Sequence, residues 1–172
     1  MKYIESLREG ERINEIYLCK VKQAAMTKAG KPYDNVILQK KPEPGIEIES
    51  NLFYLPTDEN NIAWKAAQML MDEFQLPGGI KISLEKRIPV AAGMAGGSSN
   101  AAAVLYGMNR MYQLGLDQKA LMDRGVKLGA DVPYCIMRGT VLAEGIGEKL
   151  TPLPPMPKYS LPIPRLTPLL LI

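Results

Sequence analysis

The sequence predicts an α+β fold, and three observations carry that reading. Ile80, Ile82 and Leu84 alternate with polar residues as a half-buried strand does. Ile62, Ala66, Met69, Leu70 and Phe74 recur at helical spacing. Between the strand and an alanine-rich helical stretch lies Pro89-Val90-Ala91-Ala92-Gly93-Met94-Ala95-Gly96-Gly97-Ser98-Ser99-Asn100, a loop whose small residues let backbone N–H groups come close to a ligand.

In chain order, residues 11–40 read as a β-hairpin. Ile13, Ile16, Leu18 and Val21 alternate loosely, Val36-Ile37-Leu38 form a second apolar run, and Lys28-Ala29-Gly30-Lys31-Pro32 carries turn chemistry between them. Lys20, Lys22, Lys28, Lys31, Lys40 and Lys41 make the segment basic, with Asp34 the only acid among residues 20–41. Lysines of this kind protect a strand edge; they also suit a surface facing single-stranded nucleic acid. Lys40-Lys41-Pro42-Glu43-Pro44-Gly45 breaks the pattern. Ile46 to Glu49 then reads as a strand, Asn60-Asn61 as the N-cap of a helix over 62–75, and Gly78-Gly79 as its stop. Past the glycine loop, Ser98 or Ser99 is the expected N-cap. Ala101, Val104, Leu105, Met108 and Met111 mark the buried stripe of the next helix. A further helix is expected over 118–128, from Asp117 as N-cap to Gly129 as stop. Met94, Met108 and Met111 read as core filling rather than as soft ligands, and Trp64 as a residue at a helix surface. From residue 151 onward, Pro152, Pro154, Pro155, Pro157, Pro162, Pro164 and Pro168 exclude regular helix or central strand.

Composition excludes several chemistries. The 172 residues carry a net charge of +3, too little by itself to argue for nucleic acid. The absence of histidine removes Ser-His-Asp and Cys-His schemes and HExxH metal sites. Cys19 and Cys135 stand far apart, which argues against a disulfide framework or zinc. Without a signal peptide or an apolar run of about 20 residues, a cytoplasmic protein with no membrane partner is expected.

The glycine loop has neither the GxxxxGK[ST] nor the GxGxxG spacing. It reads either as a tight strand-to-helix turn or as a phosphate cradle at a helix N-terminus, where Ser98 could stand near Mg²⁺. In Gly129-Ala130-Asp131-Val132-Pro133, the lone acid Asp131 reads as a helix cap or, beside a phosphate loop, as the acceptor of a proton from an attacking hydroxyl.

The loop from Pro89 to Ala102 resembles the PxxxGLGGGSSNAA loop of the GHMP kinases. With Gly129-Ala130-Asp131-Val132-Pro133 and Ala143-Glu144-Gly145-Ile146-Gly147-Glu148, residues 45–158 are similar to the branch of that family that phosphorylates a cytidylyl methylerythritol in isoprenoid precursor synthesis. The resemblance implies a partial N-terminal domain of ribosomal S5 domain 2-like fold and an ATP-dependent transfer to an alcohol of a small-molecule substrate. Gly93, Met94, Ala95, Gly96, Gly97, Ser98 and Ser99 would wrap ATP phosphates, with Pro89, Ala91 and Ala92 also binding the cofactor and Asn60, Asn61 and Ile62 near the adenine. Ser98 would lie beside Mg²⁺, and Asp131 would be the catalytic aspartate. The family's AKINL-type lysine segment, DGYH segment and GTGA-type C-terminal motif have no counterpart in the sequence, so an impaired kinase is expected. Residues 1–40 resemble instead the OB-fold opening of a YhaM-type 3′-to-5′ exoribonuclease, which would make residues 1–41 a separate fragment able to bind single strands. Residues 45–158 would then be the kinase part and residues 159–172 an irregular tail.

Overall fold

The computed structural model describes residues 33–91 and 93–155. Most of the expected hairpin, the exoribonuclease-like segment, Cys19 and the tail from 159 onward lie outside those residues, as does Ala92.

A three-stranded sheet is built from β1 (Asn35–Lys41), β2 (Gly45–Ser50) and β3 (Gly79–Glu85) in the order β1-β3-β2. The central β3 runs antiparallel to β1 and parallel to β2. Alternation does the sorting: Ile80, Ile82 and Leu84 face inward, and the ladders set Leu38 and Ile48 on either side of Ile82. Lys81 points the other way and bridges Glu47 and Glu49 across the open face. The run Val36-Ile37-Leu38 is a strand, as expected. Its described partner is β3, so the sheet crosses the break at residues 42–44 instead of ending there.

Two helices cover the inward face. α1 (Ile62–Phe74) buries Ala63, Ala66, Ala67 and Leu70; α2 (Gly96–Met111) buries Ala101, Val104, Leu105 and Met108. Alanines on α1 allow the two helices to approach closely, while the large side chains Leu70, Leu105 and Met108 fill the space above Ile80 and Ile82. Trp64 packs partly buried against this core. Met111 packs against the core as well, but Met94 is 40% exposed and lies outside it. Leu105→Ala is expected to cost about 3 kcal/mol, because a fully buried leucine leaves a cavity the helices can only partly close. Urea denaturation checks this, and a loss below about 1 kcal/mol would mean that α2 is not part of one cooperative core.

The Asn61 side chain accepts from the Ala63 N–H at 2.9 Å and caps α1. Its C-terminus departs from expectation: Gln75 turns left-handed (φ 48°), and the N–H of Leu76 reaches the Met71 carbonyl at 3.1 Å. Gly79 serves another purpose, since a Cβ there would stand 2.3 Å from the carbonyl oxygens of Glu43 and Gly45. α3 (Gln118–Leu128) starts at Asp117, which accepts from Ala120 N–H at 2.7 Å, and stops at Gly129, as the sequence predicts. A short α4 (Val132–Met137) follows and packs against α2 and α3. β4 (Val141–Glu144) and β5 (Lys149–Pro152) form a separate antiparallel hairpin. Among the described residues no helix is long and apolar enough to cross a membrane.

Candidate functional site

The loop between β3 and α2 departs from ordinary backbone geometry at alternate residues. Ala91 (φ 58°), Gly93 (φ 68°) and Ala95 (φ 52°) are all left-handed. For the two alanines this costs about 1–2 kcal/mol each. Neither serine caps the helix. Ala95 occupies the N-cap position, and the first helical bond runs from Ser99 N–H to the Ala95 carbonyl at 2.8 Å. With Gly96 and Gly97 as its first residues, α2 begins two positions before the serines, and a left-handed N-cap supplies no side-chain cap. The N–H groups of Gly96, Gly97 and Ser98 therefore precede the helical ladder and remain the helix's initial donors. The Ser99 hydroxyl donates to the Gly96 carbonyl at 2.9 Å, so its own proton is already engaged within the first turn.

Below the loop is a cavity of about 380 Å³. Loop residues Pro89, Ala91, Gly93, Met94, Ala95, Gly96, Gly97 and Ser98 line it together with Leu55, Pro56, Asn60 and Asn61. Of the expected loop contacts, Ser99 is not part of this lining. Asn61 has its amide committed: besides capping α1, it donates to the Pro56 carbonyl at 2.7 Å. The Asn60 backbone and side-chain N–H groups both bond to Asp58.

Lys86 and Asn100 also line the cavity, although neither stands out as a ligand contact in the sequence. The Lys86 side chain is 3% exposed and paired with Asp34, itself 2% exposed. Asn100 closes the group, accepting from Lys86 Nζ at 2.6 Å and donating to Asp34 at 3.1 Å. Burial alone would raise the Asp34 pKa. Hydrogen bonds from the Arg87 N–H, the Lys86 ammonium and the Ile88 N–H outweigh it and hold the carboxyl below its ordinary range. Asn51 clamps the Lys86 backbone from the opposite side, accepting from its N–H at 2.7 Å and donating to its carbonyl at 3.0 Å.

Asp131 is exposed and sits at the start of α4, where its side chain makes no capping bond. It is not in the cavity lining. Ile62 connects the two places: a Cβ on Gly97 would meet its Cγ2 at 3.6 Å, and one on Gly129 its Cδ1 at 3.5 Å. The start of α2 and the turn before Asp131 therefore flank one side chain. Nearby Cys135 has its thiol pKa pushed up by burial, and the Asp131 carboxylate adds to the effect, which disfavours the thiolate. No group of three acidic, cysteine or histidine side chains able to hold a metal occurs among the described residues.

The GHMP kinases N terminal domain family model matches residues 61–139, from the cap of α1 to just past α4. Over 125 residues the chain is 56% identical to the 4-diphosphocytidyl-2-C-methyl-D-erythritol kinase of Lachnospira eligens, covering 73% of this chain and 43% of that protein. It is 58% identical over 127 residues to the kinase of the same name from Lachnoclostridium phytofermentans, covering 74% and 44%. Among solved structures, a 4-(cytidine 5′-diphospho)-2C-methyl-D-erythritol kinase superposes with a TM-score of 0.60 at 33% identity, covering 74% of this chain and 48% of the other. Homoserine kinase from Cytophaga hutchinsonii, at 24% identity and a TM-score of 0.61, shares the fold. The chain spans less than half the length of the curated relatives it matches.

Proposed function

From the premise that residues 61–139 belong to the GHMP kinase N-terminal domain family, we propose that this chain supplies the ATP-binding part of a small-molecule kinase. The observation that carries the reading is the cavity roofed by the left-handed residues Ala91, Gly93 and Ala95 and bounded by the first turn of α2. Small side chains leave the backbone donors of Gly96, Gly97 and Ser98 accessible, and the helix dipole favours an anion beside them. A nucleoside triphosphate suits both ends of the cavity. Its phosphates would meet the glycine turn, while its base would meet Leu55, Pro56, Asn60 and Asn61.

Asp131 would accept the proton of the attacking hydroxyl, which needs an exposed carboxylate close to the phosphate end rather than inside the nucleotide cavity. The turn just before it flanks Ile62, as the start of α2 does, which supports that division of labour. The alcohol substrate is proposed as 4-diphosphocytidyl-2-C-methyl-D-erythritol, from the names of the relatives. Mg²⁺ would enter with the triphosphate. Ser98 is the one loop hydroxyl in the lining that could contact it, and the ion would supply charge neutralisation at the phosphates.

Isothermal titration of the chain with ATP tests the central claim. Saturable binding that weakens from ATP to ADP to AMP is expected, because the proposed donors act on phosphate. Binding that fails to saturate by about 1 mM ATP, the upper end of ordinary enzyme affinities, overturns it.

A further inference from the structure

The strand-to-helix loop is held at both ends by one carboxylate that lies outside it in sequence. Asp34, just ahead of β1, accepts from the N–H groups of Arg87 at 2.7 Å and Ile88 at 2.9 Å, where the chain leaves β3 and enters the loop. The same carboxylate accepts from Asn100 Nδ2 at 3.1 Å, one turn into the helix where the loop exits. Its fourth partner, Lys86, is buried against the loop: a Cβ added to Gly96 would stand 3.3 Å from Lys86 Nζ. An ammonium has three N–H donors. Asp34 and Asn100 take two of them, and Lys86 is part of the cavity wall.

A lysine beneath the positive end of a helix is unfavourable unless something offsets it. Asp34 is the offset when the cavity is without a ligand. Phosphate arriving at the glycine turn would meet the helix terminus and the remaining ammonium donor together, which raises the local potential for an anion beyond what a helix terminus alone provides.

We propose that Asp34 is a positioning residue for the phosphate end of the nucleotide, fixing Lys86 and Asn100 under the loop so that the third Lys86 N–H is offered to the ligand's phosphates. The inference rests on the nucleotide reading above. It adds a residue outside the matched family segment of 61–139 and a cationic donor to the backbone donors of the site.

The test compares ATP, adenosine and inorganic triphosphate as ligands of the full chain and four variants: D34N, K86M, K86R and the double variant D34N/K86M. Loss of a charge-assisted hydrogen bond lowers affinity by about tenfold. K86M is therefore expected to bind ATP and triphosphate about tenfold more weakly, with adenosine affinity changed by less than about twofold. D34N should do the same, because a freed Lys86 loses its direction. The double variant should be no worse than K86M, since the two residues act through one contact. K86R should recover part of the phosphate preference. The double variant also keeps the test alive if D34N does not fold, because it leaves no unpaired buried charge. If ATP and adenosine weaken equally in K86M and the double variant, the cluster only holds the fold together and the inference is overturned. An unchanged ATP-to-adenosine ratio in all variants overturns it too, while leaving the nucleotide reading standing. Wild-type chain that binds neither ATP nor triphosphate removes that reading itself.

Discussion

Asp34→Ala is expected to cost about 3–5 kcal/mol of folding stability, the range for breaking a buried ion pair by removing one partner. Both side chains are almost fully enclosed, so solvent screening gives little relief. The substitution would strand the Lys86 ammonium and leave the N–H groups of Arg87 and Ile88 without their acceptor. The same carboxylate sets a pH dependence. Its pKa lies below the ordinary 3.8 in the folded chain, so it contributes stability that is fully present above that value. The contribution is lost as pH falls through the lower folded-state pKa. Wild-type protein should therefore lose stability in acid below about pH 4, and Asp34→Asn should show a flatter acid limb. Urea titrations at pH 7 and across the acid range read both effects. A cost under about 1 kcal/mol at pH 7 would place the pair with surface ion pairs in its energetic weight.

Where the chain carries the proposed phosphoryl transfer to 4-diphosphocytidyl-2-C-methyl-D-erythritol, Asp131→Asn is expected to lower it by about 10²–10⁴-fold, the usual contribution of a general base. ATP affinity should stay within about twofold, because the residue lies outside the cavity lining. Stability should hardly change, since the side chain is exposed and makes no cap to α4. A coupled ADP-release assay, run beside the ATP titration, separates these quantities. Equal turnover by the asparagine variant would remove Asp131 from the chemistry. A parallel loss of ATP binding would instead make it a residue of the nucleotide site.

Much of this architecture is legible in the sequence because the periodicities are clean. Ile80, Ile82 and Leu84 have period 2, and α1 carries its apolar residues at period 3.6, so strand and helix announce themselves. Asp117 and Gly129 bracket α3 because capping chemistry is local. The partner of β1 is not local. Val36-Ile37-Leu38 shows a strand, but nothing in those residues says that the complement lies beyond residue 78. Turn signals at 28–32 favour the nearer pairing. The helix start at Gly96 is illegible for a related reason. Serine is the better N-cap by propensity, whereas the loop geometry puts a left-handed alanine there and leaves the serines inside the first turn.

Site residues divide along the same line. The glycine loop is visible as composition. Lys86 sits in Glu85-Lys86-Arg87, three charged residues in a row with no local pattern to single one out, and only the fold shows its side chain turned inward to Asp34. Asp34 reads as a stray acid in a basic stretch. Its importance comes from long-range partners that no local pattern encodes.

The strand order has a consequence for how the molecule comes into being. β1 and β2 are neighbours in sequence yet are not hydrogen-bonded to each other; each pairs with β3. On a ribosome, therefore, the first two described strands emerge without a mutual ladder and must wait while α1 is synthesised. Only when residues 79–85 follow does one strand complete both pairings at once. The Asp34 carboxylate meets Lys86, Arg87 and Ile88 at the same moment, because they come directly after β3. Sheet closure and the seating of the loop's entry thus belong to a single event that waits for residues 79–88, and a nascent chain halted before residue 79 would hold neither.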